Sequence, residues 1–183
     1  MVRKVTTRPQ FMAVIGGLLA LGARRRSDDD GWHHVHGRNG LALPTKAPLD
    51  LTFVTVDGTV FRLIDHREKV VVVNLFASWC GPCNAEALDV SAFAAAHPDD
   101  TIVVSVDVGE SAATAREFRV RYGLDYPVAS DESASISKTI GMHDYPTTLF
   151  IRPNGCLSCA FVGQISRDNL EAERTYALSS TTG

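Results

Sequence analysis

From residue 49 onward, the hydrophobic and polar positions switch between the two-residue period of strands and the longer period of helices. Residues 49–66 alternate apolar and polar side chains around Asp57-Gly58, which predicts a β-hairpin. Residues 69–78, KVVVVNLFAS, are mostly apolar and β-branched, as expected of a strand that is buried on both faces. The alanine- and leucine-rich residues 84–97 predict the helix that follows, and Pro98 ends it.

The alternation continues almost to the end of the chain. The pattern predicts a strand at 101–108, a helix at 111–123 closed by Gly123, a short connection at 126–131, a weaker helix at 132–141, a strand at 147–153, a turn at 154–155, a returning strand at 156–163 and a terminal helix at 166–180 with Ser166 as its N-cap. Strands and helices in this order predict an α/β domain with a central mixed sheet.

The first residues of the chain have the pattern of a targeting segment. Residues 11–23 are uncharged and apolar, and three basic residues precede them, as in a secretory signal. The segment is short for a spanning helix, which needs about 20 apolar residues. The arginines at 24–26 oppose translocation of that flank. We therefore predict that residues 1–23 are a signal sequence or membrane anchor, with an amphipathic or disordered leader as the alternative.

A linker separates this segment from the predicted domain. Residues 24–48 mix charges, glycine and proline without periodicity, and residues 179–183 form a loose tail, so the domain is expected to cover residues 49–178. The histidines within residues 33–36 could bind a metal ion through neutral imidazoles. Because no carboxylate or cysteine accompanies them at a fixed spacing on a predicted element, a solvated linker is the preferred interpretation.

Composition narrows the function classes. With 183 residues, of which 45% are hydrophobic, the chain can fold without a metal or a disulfide, which weakens a purely structural role for its cysteines. A formal net charge of −3 gives no basic field, so nucleic acid is not expected as a partner. The four cysteines occur as two C-x-x-C pairs, at 80–83 and 156–159. This pattern is neither that of a small disulfide scaffold nor that of a cysteine hydrolase.

The first pair lies between a predicted strand and a predicted helix. At the start of a helix, unsatisfied amides favour the thiolate of Cys80, and a thiolate is the attacking species in disulfide exchange. Pro82 suits the first helical turn, and Gly81 adds little bulk beside the reacting sulfur. We therefore expect Cys80, the first and more exposed cysteine, to attack, and Cys83 to resolve the mixed disulfide.

The motif WCGPC at residues 79–83, placed after a buried strand, resembles the active site of thioredoxins. The second landmark is YPTT at residues 145–148, just before a predicted strand. The resemblance implies that Pro146 is the cis-proline that faces the active-site disulfide, and that the Tyr145 backbone is exposed to pair with an incoming peptide. Sequence alone would also allow Pro146 as an ordinary trans residue at a strand start.

The chain resembles more specifically the TlpA-like and ResA-like thiol-disulfide reductases, over residues 49–178. The marks are the hairpin at Asp57-Gly58, the blocks VVVNLFASWCGPC and YPTTLFIRPNG, Glu86 and Gly163. This resemblance implies a thioredoxin-like α/β fold with an N-terminal β-hairpin extension, and an enzyme without a cofactor or a metal. It also implies a periplasmic or otherwise extracytoplasmic monomer, with residues 11–23 as a candidate membrane anchor.

The activity implied is reduction of disulfides in exported proteins, notably apocytochrome c during cytochrome c biogenesis. The implied electron donor is a membrane protein of the DsbD/CcdA type. The Gly-Pro dipeptide also favours reduction, since thioredoxin's own pair has a potential of about −270 mV.

Two positions qualify the thioredoxin resemblance. Thioredoxins carry a buried Asp six residues before the first cysteine, where this chain has Asn74, which cannot act as a general base. Glu86, three residues beyond Cys83, is the candidate replacement, and a solvated glutamate favoured by the helix dipole is the alternative. We expect Trp79 to shield the sulfurs and, with Gly81, Pro82 and Tyr145, to contact substrate.

The second pair, Cys156 and Cys159, falls in a predicted strand, where positions three apart lie about 10 Å apart and on opposite faces. A disulfide requires Cβ atoms roughly 4 Å apart, so we predict that these cysteines do not pair. We expect one of them to be a buried small hydrophobe and leave the other open. Zinc binding by both C-x-x-C pairs and a peroxiredoxin-like enzyme remain as alternative functions.

Overall fold

The computed structural model describes residues 33–34 and 51–179. The strands are β1 (His33–His34), β2 (Thr52–Val54), β3 (Val60–Arg62), β4 (Val70–Phe76), β5 (Thr101–Val108), β6 (Val128–Asp131), β7 (Thr147–Ile151) and β8 (Leu157–Val162). The helices are α1 (Gly81–Ala96), α2 (Ala112–Tyr122), α3 (Ser135–Ile140) and α4 (Arg167–Ser179), with a short 3₁₀ helix at Leu63–His66.

A mixed sheet with the strand order β1-β8-β7-β4-β5-β6 forms the centre of the domain, and β2 and β3 form a separate hairpin. The strand β4 runs parallel to β5 and antiparallel to β7. All residues of β4 are buried, because both faces of the sheet are covered. This architecture confirms the predicted α/β fold with an N-terminal β-hairpin.

The two faces of the sheet are covered by different elements. Along β4, the side chains of Val72 and Phe76 belong to a core cluster that also contains residues of α1, α2 and α4. The alternate side chains of Val73 and Leu75 belong to a second cluster, which includes residues of the hairpin and of α3. Cys80 and Cys83, which follow β4, belong to the first cluster, so the cysteine segment packs on the face of the sheet that α1 covers.

Three segments differ from the sequence-based prediction. The expected connection at 126–131 contains the strand β6, which pairs with the end of β5, although its four residues give little periodicity. The strand β8 begins at Leu157, so Cys156 lies outside it. The pairing of β7 with β8 also shifts register between Phe150 and Ile151 of β7. Within the predicted linker, the two residues of β1 pair with β8 and extend the sheet.

The predicted leader at residues 1–23 lies outside the described residues, and so do residues 180–183 of the predicted tail at 179–183. Ser179, the first residue of that tail, is instead the last residue of α4. Among the helices that are described, none is long and apolar enough to cross a membrane.

Candidate active site

Cys80 and Cys83 form a disulfide at the beginning of α1, as expected for a redox pair. Cys80 is the N-cap of the helix, and its Sγ accepts a hydrogen bond from the Cys83 backbone N–H at 3.2 Å. Pro82 lies in the first turn, where its missing N–H leaves no helical bond unmade. The Cys83 N–H therefore points toward the Cys80 sulfur, and this hydrogen bond together with the helix N-terminus favours the Cys80 thiolate in the reduced protein.

The disulfide is covered, although the surface beside it is open. Cys80 retains 5% of its accessible surface and Cys83 retains 2%, so Cys80 is the more exposed, but both are buried. The preceding Trp79 is 72% exposed, and Gly81 and Pro82 are also exposed. The surface beside the covered sulfurs is therefore formed by Trp79 and the first helical turn.

The predicted cis-proline is confirmed: the Tyr145–Pro146 peptide bond is cis. Because Thr147 pairs with Leu75, Pro146 lies at the level where β4 ends and the cysteine loop begins. The Pro146 carbonyl accepts a hydrogen bond from the Gly163 N–H at 2.8 Å. Tyr145 packs against the core cluster that contains both cysteines, and its backbone precedes β7.

Glu86 is a buried carboxyl on the same helix as Cys83, with only 1% of its surface exposed. Its Oε1 accepts from Asn74 Nδ2 at 2.8 Å, and its Oε2 accepts from the Ile165 N–H at 2.7 Å. Burial raises the pKa of Glu86 to about 7, although these two hydrogen bonds act in the opposite direction. The solvated-glutamate alternative is therefore wrong, and Glu86 is a group that titrates near neutral pH.

Asn74 links Glu86 to a buried polar chain that crosses the sheet. Asn74 Nδ2 also donates to Thr148 Oγ1 at 3.1 Å, and Asn74 Oδ1 accepts from Ser105 Oγ at 3.2 Å. The Ser105 hydroxyl lies 3.2 Å from the Tyr126 hydroxyl, and burial raises the pKa of Tyr126 to about 12. These contacts fix the orientation of the Asn74 amide and hence its hydrogen bond to Glu86.

The segment before Cys80 is held by a carboxylate that sequence reasoning missed. Glu110, in the loop after β5, accepts from the Ser78 N–H at 2.6 Å and from the Ser78 hydroxyl at 2.8 Å. Asn84 Nδ2 donates to the carbonyls of Ser78 and Cys80 at 2.9 and 2.7 Å. The signal available in the sequence is the charged Asp107 inside an otherwise apolar strand, followed closely by Glu110.

The second cysteine pair lies elsewhere. Cys156 and Cys159 are both free thiols, as predicted, with Cys159 buried and Cys156 half-buried. Burial raises the pKa of Cys159, and the Glu173 carboxylate beside it raises it further. The start of β8 is level with Val71, near the beginning of β4, whereas Cys80 follows Phe76, the last residue of β4. At ~3.3 Å per residue, Val71 and Phe76 lie about 17 Å apart along the strand.

This separation bears on the zinc alternative. A four-thiolate zinc site would require both pairs to lie within about 2.3 Å of one metal ion. Over residues 51–179, no group of three or more His, Cys, Asp or Glu side chains is arranged to hold a metal ion.

A disulfide at the start of a helix, next to a cis-proline at the same edge of a mixed sheet, defines a dithiol protein of the thioredoxin fold. The Redoxin family model matches residues 42–177, so the chain belongs to the Redoxin family. The thiol-disulfide oxidoreductase ResA of Geobacillus thermodenitrificans is 26% identical over 135 residues, which cover 73% of this chain and 77% of the relative.

Solved structures agree with this assignment. A secreted Mycobacterium tuberculosis disulfide oxidoreductase, described as homologous to E. coli DsbE, is 26% identical with a TM-score of 0.63, covering 69% of this chain and 96% of that chain. A thiol:disulfide interchange protein of the thioredoxin family from Chlorobium tepidum is 28% identical with a TM-score of 0.66, covering 73% of this chain and 96% of that chain.

Proposed function

We propose that the chain is a thiol-disulfide oxidoreductase that reduces disulfides in exported proteins, including apocytochrome c during cytochrome c maturation. The observation that carries the proposal is the Cys80–Cys83 disulfide, in which the Cys83 N–H donates to Cys80 Sγ at the start of α1. That hydrogen bond and the helix N-terminus stabilise negative charge on the Cys80 sulfur, which is the charge that a nucleophilic thiolate carries.

In the reduced protein, the Cys80 thiolate attacks one sulfur of the substrate disulfide. The substrate S–S bond breaks, an S–S bond to Cys80 forms, and the other substrate sulfur leaves as a thiolate that takes a proton from solvent. Cys83 then loses its proton and attacks Cys80 Sγ, which releases the second substrate thiolate. Two electrons pass from the dithiol to the substrate, and the Cys80–Cys83 disulfide remains.

Glu86 is proposed to accept the Cys83 proton in the second step. A helical residue three positions beyond Cys83 shares its face, at about 5–6 Å between Cβ atoms. A pKa raised by burial to about 7 suits a group that must take up and release a proton near neutral pH. Asn74 holds this carboxyl through its Nδ2, so the amide that replaces the thioredoxin aspartate orients the base instead of serving as one.

Substrate is proposed to bind across Trp79, Gly81 and Pro82, with the Tyr145–Pro146 backbone alongside the reacting disulfide. Trp79 supplies a large exposed aromatic surface, and the two helix residues leave the approach to Cys80 open. Extended peptides commonly bind through main-chain hydrogen bonds, which the Tyr145 backbone just before β7 is proposed to supply.

The location and the electron donor are also proposed. The relatives are thiol-disulfide oxidoreductases, one of them a secreted protein, which supports an extracytoplasmic location. We also propose that the protein acts as a monomer. The apolar residues 11–23 would serve as signal or anchor, and a membrane protein of the DsbD/CcdA type would return the oxidised pair to the dithiol.

Reduction of insulin disulfides tests the activity. Cys80→Ser should abolish it, because no attacking thiolate remains, whereas Cys156→Ser should leave it unchanged and serves as the matched control. Activity retained by Cys80→Ser, or bound zinc in one equivalent that is lost on changing Cys156 or Cys159, would contradict the proposal.

A further inference from the structure

Asp107 is a fully buried carboxyl group near the carboxyl end of β5, with 0% of its surface exposed. Its register partners are Phe76 of β4 and Ser130 of β6, so it lies level with the end of the strand that leads to the cysteines. Among the described residues, no donor N–H or O–H group makes a hydrogen bond with either of its oxygens. A buried carboxyl group without such donors is costly when it is ionised.

The polar group that interacts with Asp107 is another carboxyl group, that of Glu110. The two oxygens of Glu110 accept the N–H and hydroxyl hydrogen bonds of Ser78 at 2.6 and 2.8 Å. The Glu110 carbonyl accepts from Ser130 Oγ at 2.7 Å, which fixes the backbone of this loop against β6. Glu110 therefore joins Asp107 to the segment that leads into Cys80.

Two carboxyl groups can share a hydrogen bond only when one of them carries a proton. Burial favours the proton on Asp107 and, with the adjacent Glu110 carboxylate, raises the pKa of Asp107 to about 8. Burial acts in the same direction on Glu110, but the hydrogen bonds from Ser78 and Asp107 outweigh it and lower the pKa of Glu110. The arrangement is therefore an Asp107 acid next to a Glu110 anion.

We propose that Asp107 is a positioning residue for disulfide exchange: as a neutral acid it donates a hydrogen bond to the Glu110 carboxylate, which holds Ser78 and thereby orients the loop that carries Cys80. This inference deepens the proposed exchange reaction and rests on it. The chain of contacts runs from Asp107 through Glu110 to the Ser78 backbone, two residues before the nucleophile.

The neighbouring elements identify what else bears on the Asp107 proton. Its register partners, Phe76 on β4 and Ser130 on β6, are uncharged, and the first turn of α2 carries no acidic residue. At the start of α1, Cys80 becomes titratable when the disulfide is reduced. Glu110 is thus the charged group that acts on Asp107 in the oxidised protein. When Asp107 ionises, the hydrogen bond is replaced by repulsion between two carboxylates.

The test combines a titration with a rate measurement. In full-length protein, the carbon-13 carboxyl resonance of Asp107, assigned by its loss in Asp107→Asn, should titrate near pH 8. The rate of attack on a small aromatic disulfide is measured from pH 6 to 10 in a Cys156→Ser background and divided by the Cys80 thiolate fraction, read from ultraviolet absorbance.

In the Cys156→Ser protein that retains Asp107, the rate divided by the Cys80 thiolate fraction, here called the corrected rate, should fall by up to about tenfold above pH 8. That is the effect of losing one hydrogen bond to a charged group. Asp107→Asn should remain flat, because its amide donates to Glu110 at every pH. Asp107→Leu, which has no donor, should be slow throughout.

A carboxyl resonance that titrates in the ordinary range of aspartate would overturn the inference, and so would superimposable corrected profiles for Asp107 and Asp107→Asn. If the unmodified protein reduced no disulfide at any pH, the exchange function would fail. The carboxyl titration would still decide the protonation of Asp107, which keeps the two failures distinct.

Discussion

Replacing Glu86 by glutamine perturbs the one buried carboxyl that titrates beside the resolving cysteine. In the oxidised protein, burial raises the pKa of Glu86 from its ordinary 4.5 to about 7. Between these values the folded protein keeps a proton that the unfolded chain releases, so the contribution of Glu86 to stability is fully present below pH 4.5 and is lost as the pH rises to 7. At about 1.4 kcal/mol per pH unit, the loss is roughly 3 kcal/mol.

The substitution Glu86→Gln removes this pH dependence and lowers the free energy of unfolding by an amount that is the same at every pH. The carboxyl accepts from Asn74 through one oxygen and from the Ile165 N–H through the other, whereas a glutamine amide offers one acceptor. One buried donor therefore loses its partner, at a cost of about 1–3 kcal/mol that does not vary with pH. The free energy of unfolding of Glu86→Gln should lie below that of the original protein at pH 4 and approach or exceed it at pH 8.

Urea unfolding of the oxidised proteins from pH 4 to 9 measures the free energy of unfolding of the original protein and of Glu86→Gln. Glu117→Gln, at an exposed position, is the control for removing a carboxylate from the surface. The difference between the original protein and Glu86→Gln should fall by roughly 3 kcal/mol over this range. A difference that stays constant with pH would refute the assignment of a raised pKa to Glu86.

Two further predictions concern the neighbouring polar groups and the second cysteine pair. Ser78→Ala removes the hydroxyl hydrogen bond to Glu110 but keeps the amide one, so it should lower the free energy of unfolding by about 1 kcal/mol, measured by urea denaturation, and an unchanged midpoint would contradict this. In the native protein at pH 8, iodoacetamide should modify the half-buried Cys156 while Cys159, buried and with a raised pKa, stays unmodified until the protein unfolds; peptide mass spectrometry reads this out, and equal labelling would contradict it.

The strongest parts of the fold were predictable because their signals are local. The continuous run of β-branched residues predicts β4, and the alanine- and leucine-rich composition predicts α1. Neither prediction needs the rest of the chain, and the cysteine motif joins the two elements. Gly123 ends α2 in the left-handed conformation, as its position predicted. The cis state of Pro146 was predictable only in combination with the motif, since a proline before a strand is ordinarily trans.

The parts that sequence reasoning missed depend on contacts between distant residues. The strand β6 has four residues and owes its pairing to β5, so no pattern within it distinguishes a strand from a loop. Ser78 and Glu110 are separated by 32 positions, and only the parallel pairing of β4 with β5 brings their loops to one edge. The charge of Asp107 within a buried strand was visible, but its partner was not.

The direct test of the exchange mechanism is the site of the covalent intermediate. Reduced Cys83→Ser is incubated with a peptide that contains one disulfide, and mass spectrometry locates the mixed disulfide. With the attacking thiolate at the start of α1 and the resolving cysteine removed, one peptide should be held on Cys80 and released by dithiothreitol. An adduct found on Cys156, or no adduct at all in a folded protein, would contradict the assignment of Cys80 as the nucleophile.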